Sequence, residues 1–466
     1  MSIDRRTLLQ RAAGAGVLLL GATDVLGSAP NSAGAPRAAG YGPLVPDPAG
    51  RLALPRGFSY RVVTEAGRTV LESGEPTPGN HDGTGAFRGR RVGTVLVNNH
   101  EIGSVAEAAE DGIVPVPPLA GLTYDPGMAG GCTVVETDRD GAPVRERVAV
   151  AGTAVNCAGG ITPWDTWLTC EEDSTRAGQD GAQRDHGYVF EVDPFDRAAN
   201  RDPQPVRAFG RYDHEAAAVD PRTGDVYLTE DASGPNGLYY RWSAPDGFRG
   251  RRGALRRLGP TDGVLSAMRC TDERGAHVDD LSRAVEVGTR YAVEWVEVPD
   301  RDARTVDTRL QFADGDVTRG RKLEGQWWGD GGAYVVTSFA RAEDSPGQPH
   351  DGQVWFYDAR RRTLELRVRF GVNPTPDVDG PFDGPDNITV SPWGGLVVAE
   401  DGQGVQHLVG VAAGGTTFPL ARNEAGGSEF TGPVHSADRR VLFANLQSPG
   451  TMFAITGPWR NQRGQA

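Results

Sequence analysis

The chain has 466 residues, of which 62 are acidic and 48 are basic, and its formal net charge is −14 at pH 7. This charge argues against nucleic acid and against an anionic membrane surface as partners, and an anionic substrate would need local positive charge from metal ions or a few basic groups. Four cysteines are too few for a disulfide scaffold, although an exported protein could pair some of them.

The first forty residues are predicted to be an export signal and a flexible segment. Paired arginines in Asp4–Gln10 (DRRTLLQ) precede an apolar run from Ala12 to Leu20. This pattern resembles a twin-arginine signal, and the run is too short to span a bilayer as a mature helix. The resemblance implies passage through the twin-arginine export machinery to the periplasm, the cell surface or the medium. No later segment has about eighteen consecutive apolar residues, so we expect no stable membrane insertion.

Residues 41–466 are predicted to form one all-β domain, because short β-rich runs alternate with Gly- and Pro-containing turns and no linker interrupts them. One hairpin plan recurs in Gly160–Asp173 (GITPWDTWLTCEED), Ala218–Asp231 (AVDPRTGDVYLTED) and Thr389–Asp401 (TVSPWGGLVVAED). Weaker copies span residues 90–101, 329–339 and 435–447. Such repeats predict a β-propeller of six or seven blades around a central channel. Unrelated hairpins in a sandwich are the alternative.

Polar residues recur at the two ends of these hairpins, 14 or 15 residues apart. The pairs are Cys157 with Glu172, Glu215 with Glu230, and Asp386 with Glu400. A hairpin of this length returns the chain to the end that it left, so each pair should lie at one rim of its sheet. Strand alternation places Cys170 and Glu172 on one face, and Leu228 and Glu230 on one face. Several blades would therefore direct their pairs to the same mouth of the channel.

Converging carboxylates at this mouth predict bound cations. Two carboxylates about 4 Å apart repel by about 4 kcal/mol at an effective dielectric constant near 20, so both cannot stay ionised near neutrality without help. Oxygen ligands in this number suit Ca²⁺. A thiolate from Cys157 suits iron or zinc instead, so the mixed donor set indicates more than one kind of metal.

Signatures of several other mechanisms are absent from the sequence. There is no G-x-S-x-G nucleophile elbow, no G-x-x-x-x-G-K-[ST] phosphate loop and no H-E-x-x-H zinc motif. His100 and His214 each precede a glutamate, and strand alternation should turn each histidine away from that neighbour. We therefore expect both histidines either to support neighbouring metal ligands or to be structural.

Several motifs together resemble the PhoX-type alkaline phosphatases. They are Asn98–Glu101 (NNHE), Tyr124–Gly131 (YDPGMAGG), Asn156–Asp173 (NCAGGITPWDTWLTCEED), Gly210–Asp231 (GRYDHEAAAVDPRTGDVYLTED), Leu323–Trp328 (LEGQWW), Gly384–Gly402 (GPDNITVSPWGGLVVAEDG) and Asn445–Trp459 (NLQSPGTMFAITGPW). The resemblance extends over nearly all of the chain after the signal. It implies an exported β-propeller phosphomonoesterase that acts on small-molecule phosphate esters with a cluster of Fe³⁺ and Ca²⁺ ions.

The resemblance also implies roles for particular residues. Cys157, Glu172 and Glu215 match iron ligands of the family. Glu324, Asp386 and Glu400 match carboxylates on the calcium side. Further candidates beside matched positions are Glu101, Glu171 and Glu230 as metal ligands and Asn99 as a phosphate ligand.

Lys322 is the only lysine in the chain. Family members often have an arginine that contacts phosphate two residues before the glutamate of the E-G motif, and Lys322 occupies that place here. Arginine binds phosphate bidentately, whereas lysine acts as a point charge. We expect Lys322 to bind phosphate and to stabilise developing charge, with the preceding Arg321 as the alternative.

Three functions fit the sequence. The leading hypothesis is metal-dependent hydrolysis of phosphate monoesters. A calcium-dependent lactonase or similar ester hydrolase on a propeller is the second, and its site would not need the thiolate of Cys157. The third is a non-catalytic exported binding propeller with structural ions, because one fold serves unrelated functions.

Overall fold

The computed structural model describes residues 39–341 and 348–461. The predicted export signal, apart from Ala39 and Gly40, lies outside the described residues. One α-helix, α1 (Val105–Asp111), is present in the described part, and no helix there is long and apolar enough to cross a membrane. The strands, in chain order, are β1 (Leu44–Val45), β2 (Leu52–Pro55), β3 (Ser59–Glu65), β4 (His81–Arg88), β5 (Thr94–His100), β6 (Gly130–Thr137), β7 (Pro143–Thr153), β8 (Asn156–Ile161), β9 (Trp167–Glu171), β10 (Val189–Val192), β11 (His214–Val219), β12 (Val226–Glu230), β13 (Tyr239–Ser243), β14 (Val264–Thr271), β15 (His277–Val278), β16 (Arg290–Glu297), β17 (Leu323–Gly329), β18 (Gly332–Ala340), β19 (His350–Asp358), β20 (Thr363–Gly371), β21 (Pro385–Val390), β22 (Leu396–Glu400), β23 (His407–Val411), β24 (Thr417–Asn423), β25 (Phe430–His435), β26 (Val441–Leu446) and β27 (Thr451–Thr456).

Six strands line the axis of the molecule, and we call them the inner strands. Neighbours in the order β4, β8, β11, β17, β21 and β25 contact each other, and β25 contacts β4, so the ring is closed. Each inner strand starts a set of antiparallel strands that pair in chain order. β16 joins β14 to β20, which merges two of these sets into one long sheet. The prediction of an all-β propeller is thus confirmed, and the sandwich alternative is wrong.

The two ends of the chain close the ring together. β3, from the N-terminal part of the described residues, pairs with β27 and completes the sheet that begins with β25. β2 similarly pairs with β24 at the outer edge of the preceding sheet. The last sheets are therefore held by strands from both ends of the chain, and this closure fixes the positions of the inner strands.

Apolar side chains fill the spaces between neighbouring sheets. Leu168, Val189, Leu228 and Trp242, from the sheets that begin with β8 and β11, belong to one buried cluster. A fully buried apolar side chain contributes about 1.5–3 kcal/mol to stability. Each sheet is thereby packed against the next, so the ends of the inner strands keep fixed distances from one another.

Every inner strand contains a β-bulge at the same place. In each strand, two consecutive residues face a single residue of the neighbouring strand. The bulged pairs are Asp82–Gly83, Cys157–Ala158, Glu215–Ala216, Glu324–Gly325, Asp386–Asn387 and Gly432–Pro433. Bulges redirect side chains and are common beside active sites. We call the first member of each pair the bulge residue.

Candidate metal centre

Nine residues form a continuous row at the mouth of the channel where the inner strands begin. Four groups of three share Cys157, Glu215 and Asp386, and in each group the ligand atoms lie within 4.8 Å of one another. The groups are Asp82–Glu101–Cys157, Cys157–Glu172–Glu215, Glu215–Glu324–Asp386 and Asp386–Asp401–Glu429. We call these nine residues the acidic row. It holds eight carboxylates and one thiol.

Five members of the acidic row are bulge residues. They are Asp82, Cys157, Glu215, Glu324 and Asp386. The sixth inner strand has a glycine, Gly432, with a φ of +55°, and a Cβ there would collide with the carbonyl oxygen of Asp82. In that strand Glu429, three residues earlier, supplies the carboxylate.

Three further members come directly after the second strand of a sheet. Glu101 follows β5, Glu172 follows β9, and Asp401 follows β22. The first residue after β12 is Asp231, and its Oδ2 atom lies 3.7 Å from Nζ of Lys322. The mouth thus receives side chains from two equivalent places in several sheets.

The structure brings six of the nine predicted metal ligands into the acidic row. These six are Glu101, Cys157, Glu172, Glu215, Glu324 and Asp386. The other three are the last residues of β9, β12 and β22, and they lie outside the four groups. They are Glu171, Glu230 and Glu400.

Each of these three glutamates binds groups of its own sheet or the adjoining loop. Glu230 accepts a hydrogen bond from Tyr240 Oη at 2.7 Å, and Glu400 accepts from the backbone N–H of Asp383 at 2.8 Å. Oε2 of Glu400 also lies 2.7 Å from Nδ1 of His407. These glutamates therefore stabilise the ends of their strands.

Glu171 belongs to a buried ion cluster beside the acidic row. Its Oε1 lies 2.6 Å from Nδ1 of His186, and Nε2 of His186 lies 3.2 Å from Oδ2 of Asp125. Burial disfavours the charged imidazole, but the two carboxylates outweigh it and raise the pKa of His186 to about 9. A protonated His186 thus holds Glu171 and the end of β9 in place, next to Glu172.

The sequence-based pairing missed three members of the acidic row, Asp82, Asp401 and Glu429. Pairing by hairpin length predicted Glu400 as a ligand, whereas the structure places its neighbour Asp401 in the acidic row. A shift of one residue along a strand turns the side chain to the other face of the sheet. Asp82 had a signal in the sequence. His81–Gly85 (HDGTG) has the same pattern as the start of β8, β11 and β17, an acid or thiol followed by a small residue.

The predicted phosphate ligand Asn99 is fully buried and faces the neighbouring sheet. Its Nδ2 donates to the carbonyl oxygens of Cys157 and Ala158, at 2.8 and 2.7 Å. Its Oδ1 accepts from Trp167 Nε1 and Thr169 Oγ1, at 3.0 and 2.9 Å. All four hydrogen bonds of this carboxamide are therefore made within the protein.

Lys322 and Arg321 have different surroundings. Nζ of Lys322 lies 2.5 Å from Oε1 of Glu324, in the acidic row. Nε of Arg321 instead lies 3.3 Å from both Asp280 Oδ2 and Ser282 Oγ. Of the two predicted phosphate-binding residues, Lys322 is therefore the one whose charged group contacts the acidic row.

The backbone at Lys322 belongs to a repeated feature of the fold. Its φ is +42°, in the left-handed region that side-chain-bearing residues rarely adopt. The equivalent residues, two before the bulge residue of other inner strands, are Asn80, Val155 and Gly384, with φ of +43°, +47° and +48°. This turn precedes the bulge and sets where the Lys322 side chain leaves the backbone.

Burial and mutual repulsion raise the pKa of carboxyl groups in the acidic row. The pKa of Glu215 lies well above its ordinary value, first because of burial and then because of the charges of Glu172 and Asp386. Burial, followed by the charges of Glu101 and Asp386, does the same to the pKa of Asp82. Both side-chain oxygens of Glu215 and Oδ1 of Asp82 are buried without a hydrogen-bond partner. Since buried polar atoms are normally paired, these oxygens fit a site that cations complete.

Cys157 gives two of the four groups a different donor chemistry. Burial, followed by the charges of Asp82 and Glu215, raises the pKa of its thiol well above the ordinary value. A bound metal reverses this effect and deprotonates a coordinating thiol. The other two groups contain oxygen donors alone. The donors therefore fit a thiophilic cation at one side of the row and a hard cation at the other.

Comparison with the solved structure of Pseudomonas fluorescens PhoX agrees with this architecture. No curated protein sequence matches the chain. The solved structure of Pseudomonas fluorescens PhoX in complex with vanadate, a transition state analogue, is similar, with a TM-score of 0.64 and 18% identity over 87% of this chain and 96% of that chain. A gluconolactonase from Xanthomonas campestris has a TM-score of 0.35 and 14% identity over 85% of this chain and 100% of that chain.

The family comparison covers most of the described residues. The family model for alkaline phosphatase PhoX matches residues 39–147 and 141–450. This range includes every inner strand and all nine residues of the acidic row. The chain belongs to the PhoX alkaline phosphatase family.

Proposed function

We propose that this protein hydrolyses phosphate monoesters at a centre of iron and calcium ions held by the acidic row. The observation that carries the proposal is the row itself, in which four overlapping groups of donors lie beside the ammonium group of Lys322. Bound cations would neutralise the phosphoryl oxygens and orient an oxygen nucleophile. Their charge would also explain how a protein of net charge −14 attracts an anionic ester.

The donor types support a division of the two metals. Fe³⁺ would be held by the two groups that share Cys157, because thiolate ligands suit iron and do not suit calcium. Ca²⁺ would be held by the two groups that contain carboxylates alone, Glu215–Glu324–Asp386 and Asp386–Asp401–Glu429. The shared carboxylates of Glu215 and Asp386 would keep neighbouring ions at fixed spacing.

Lys322 would bind the transferred phosphoryl group. Its ammonium group lies 2.5 Å from Oε1 of Glu324 and offsets the charge of that carboxylate. If Glu324 held a cation, Lys322 would serve as a point charge for a phosphoryl oxygen. Asp231, whose Oδ2 lies 3.7 Å from Nζ, would keep the ammonium group at the mouth. A fixed positive charge of this kind stabilises the charge that develops in phosphoryl transfer.

The site of action is proposed to be outside the cytoplasm. The paired arginines and the apolar run before residue 40 support twin-arginine export, which would place the enzyme in the periplasm, on the surface or in the medium. Phosphate esters that reach this compartment would be the substrates.

The presence of Cys157 in two of the four groups favours a phosphatase over the lactonase hypothesis. A calcium lactonase needs oxygen donors alone, so a buried thiol in its centre would have no purpose. A non-catalytic propeller would likewise not need Lys322 beside Glu324.

Hydrolysis of a chromogenic phosphate ester tests the proposal. We expect turnover by the purified protein, loss of turnover with a strong chelator, and recovery when iron and calcium are returned. Glu172→Gln should lose turnover, because it removes a charged ligand beside Cys157. Glu146→Gln, a buried carboxylate outside the acidic row, is the matched control and should keep it. Cleavage of a chromogenic lactone without cleavage of the phosphate ester would support the lactonase instead.

A further inference from the structure

Buried carboxamides connect neighbouring sheets of the ring next to the bulges. Among the described residues, such side chains cross four of the six junctions of the ring. They are Asn99, Gln326, Asn387 and Asn445. At the other two junctions the inner strands approach each other closely, at Gly160 and Gly325.

Asn99 holds the bulge that carries Cys157. It is the single residue that faces the bulged pair of its own sheet, yet its side chain reaches across to the next sheet. There Nδ2 binds the carbonyl oxygens of both Cys157 and Ala158. Its Oδ1 is itself fixed by Trp167 and Thr169 of that sheet. The carbonyl groups of both residues of the bulged pair are thus bound by the side-chain amide of Asn99.

Gln326 binds the backbone of the bulge that carries Glu215. Its Nε2 donates to the carbonyl oxygens of Ala216 and Tyr227, at 2.9 and 3.1 Å, and its Oε1 accepts from Tyr239 Oη at 3.2 Å. Only 2% of its surface is exposed. Gln326 therefore connects the inner strand of Glu324 to the bulge of Glu215.

Asn445 and Asn387 extend the pattern to the sixth strand. Nδ2 of Asn445 donates to the carbonyl oxygen of Asp82 at 2.7 Å. Oδ1 of Asn387 accepts from the backbone N–H of Gly432 at 2.6 Å, while its Nδ2 donates to Asp386 at 2.9 Å. Neutral amides suit these places, because they satisfy buried backbone groups without adding charge beside eight carboxylates.

We propose that Asn99, Gln326 and Asn445 are positioning residues of the metal centre. They hold the bulges of Cys157, Glu215 and Asp82 at fixed spacing, against the repulsion among the acids. Partners that orient metal ligands typically change metal affinity about 10–100-fold when they are removed. The proposal rests on the proposed function in one respect, that the acidic row binds cations.

The chain offers a matched pair of buried glutamines for the test. Gln353, like Gln326, is buried, and its Nε2 donates to two backbone carbonyls, those of Leu281 and Ala284. Its Oε1 accepts from Trp355 Nε1 and from Thr337 Oγ1, both at 3.1 Å, and none of these four partners belongs to a bulged pair of an inner strand. Gln326→Met and Gln353→Met therefore remove the same kinds of hydrogen bonds at places that differ in their distance from the centre.

The experiment measures retained iron and calcium in the full chain during titration with a chelator, together with the unfolding midpoint of the ion-free protein. Both variants should lower the midpoint. Gln326→Met alone should retain ions about 10–100-fold more weakly, whereas Gln353→Met should match the wild type. Equal ion retention in the two variants would overturn the proposal.

Asn99→Leu provides an independent variant if Gln326→Met does not fold. Asn99→Leu should weaken the retention of iron more than that of calcium, because the bulge that Asn99 binds carries the Cys157 thiol. Unchanged iron retention in Asn99→Leu would contradict the role of Asn99.

If the wild type retains ions but cleaves no phosphate ester, the proposed function fails, while ion retention still decides the positioning role. A wild type that retains no ions would overturn both.

Discussion

At the scale of single residues, the position of a side chain relative to the bulge decides its role. Glu172 and Glu171 are neighbours, yet Glu172 belongs to the acidic row and Glu171 binds His186. Arg321 and Lys322 are also neighbours, and only Lys322 reaches Glu324. One step along the chain thus separates contact with the centre from support of the sheet.

Replacement of Lys322 tests the assignment of the phosphate-binding cation. Lys322→Ala should lower kcat/KM for a phosphate ester about 100-fold, as expected for loss of one preorganised electrostatic contact. Lys322→Arg should restore part of the activity because it restores the charge. Arg321→Ala is the control, since the guanidinium of Arg321 binds Asp280. Steady-state kinetics that show a larger loss of kcat/KM in Arg321→Ala than in Lys322→Ala would reverse the assignment.

Glu146 gives a prediction about stability and pH. Burial raises its pKa to about 7, although hydrogen bonds from Thr77 and Thr133 oppose the shift. Because the folded state binds this proton more tightly than the unfolded state, whose pKa is near 4.5, stability falls as pH rises from about 4.5 through 7. Glu146→Gln keeps a neutral group there and should be more stable than the wild type at pH 8 by about 1–3 kcal/mol.

Denaturant unfolding at two pH values measures this effect. The advantage of Glu146→Gln should shrink at pH 5, where the wild-type carboxyl is largely protonated in the folded state. A constant difference between the two proteins across the range would show that Glu146 does not titrate with the raised pKa.

At the scale of elements, the repeated bulge explains which predictions from the sequence succeeded. Hairpin repeats sufficed to predict the propeller, because turn chemistry and strand alternation are local. They also located Cys157, Glu215 and Asp386, which are the first residues of bulged pairs. The return strands were less predictable, because the extra residue of a bulge shifts the facing position, and Asp401 replaced the predicted Glu400 in the row.

Gly432 tests the geometry of the bulge in the strand that lacks an acid. Gly432→Ala should destabilise the fold by about 1–3 kcal/mol, because the φ of +55° and the nearby Asp82 carbonyl leave no room for a Cβ. Gly371→Ala is the control, since no atom lies within 4 Å of a Cβ added there. Thermal unfolding should separate the two, and equal midpoints would mean that the bulge is not constrained as described.

At the scale of the whole molecule, the closed ring concentrates negative charge at one place. Inner strands that are distant in sequence bring eight carboxylates and one thiol to a single mouth. No local sequence pattern pointed to Glu429. It supplies the carboxylate for its strand because Gly432 stands at the bulge position, where four other inner strands have an acid and one has Cys157. The fold therefore has a centre that bound cations would stabilise, and we propose that the carboxamides between the sheets hold its parts in register.

Elemental analysis of the native protein, with Cys157→Ser beside it, tests the central claim most directly. We predict stoichiometric iron and calcium in the wild type, and loss of iron with retention of calcium in Cys157→Ser. Cys270→Ser is the control, because Cys270 is buried outside the acidic row, and it should keep both metals. A wild type that carries neither metal in stoichiometric amount would contradict the account.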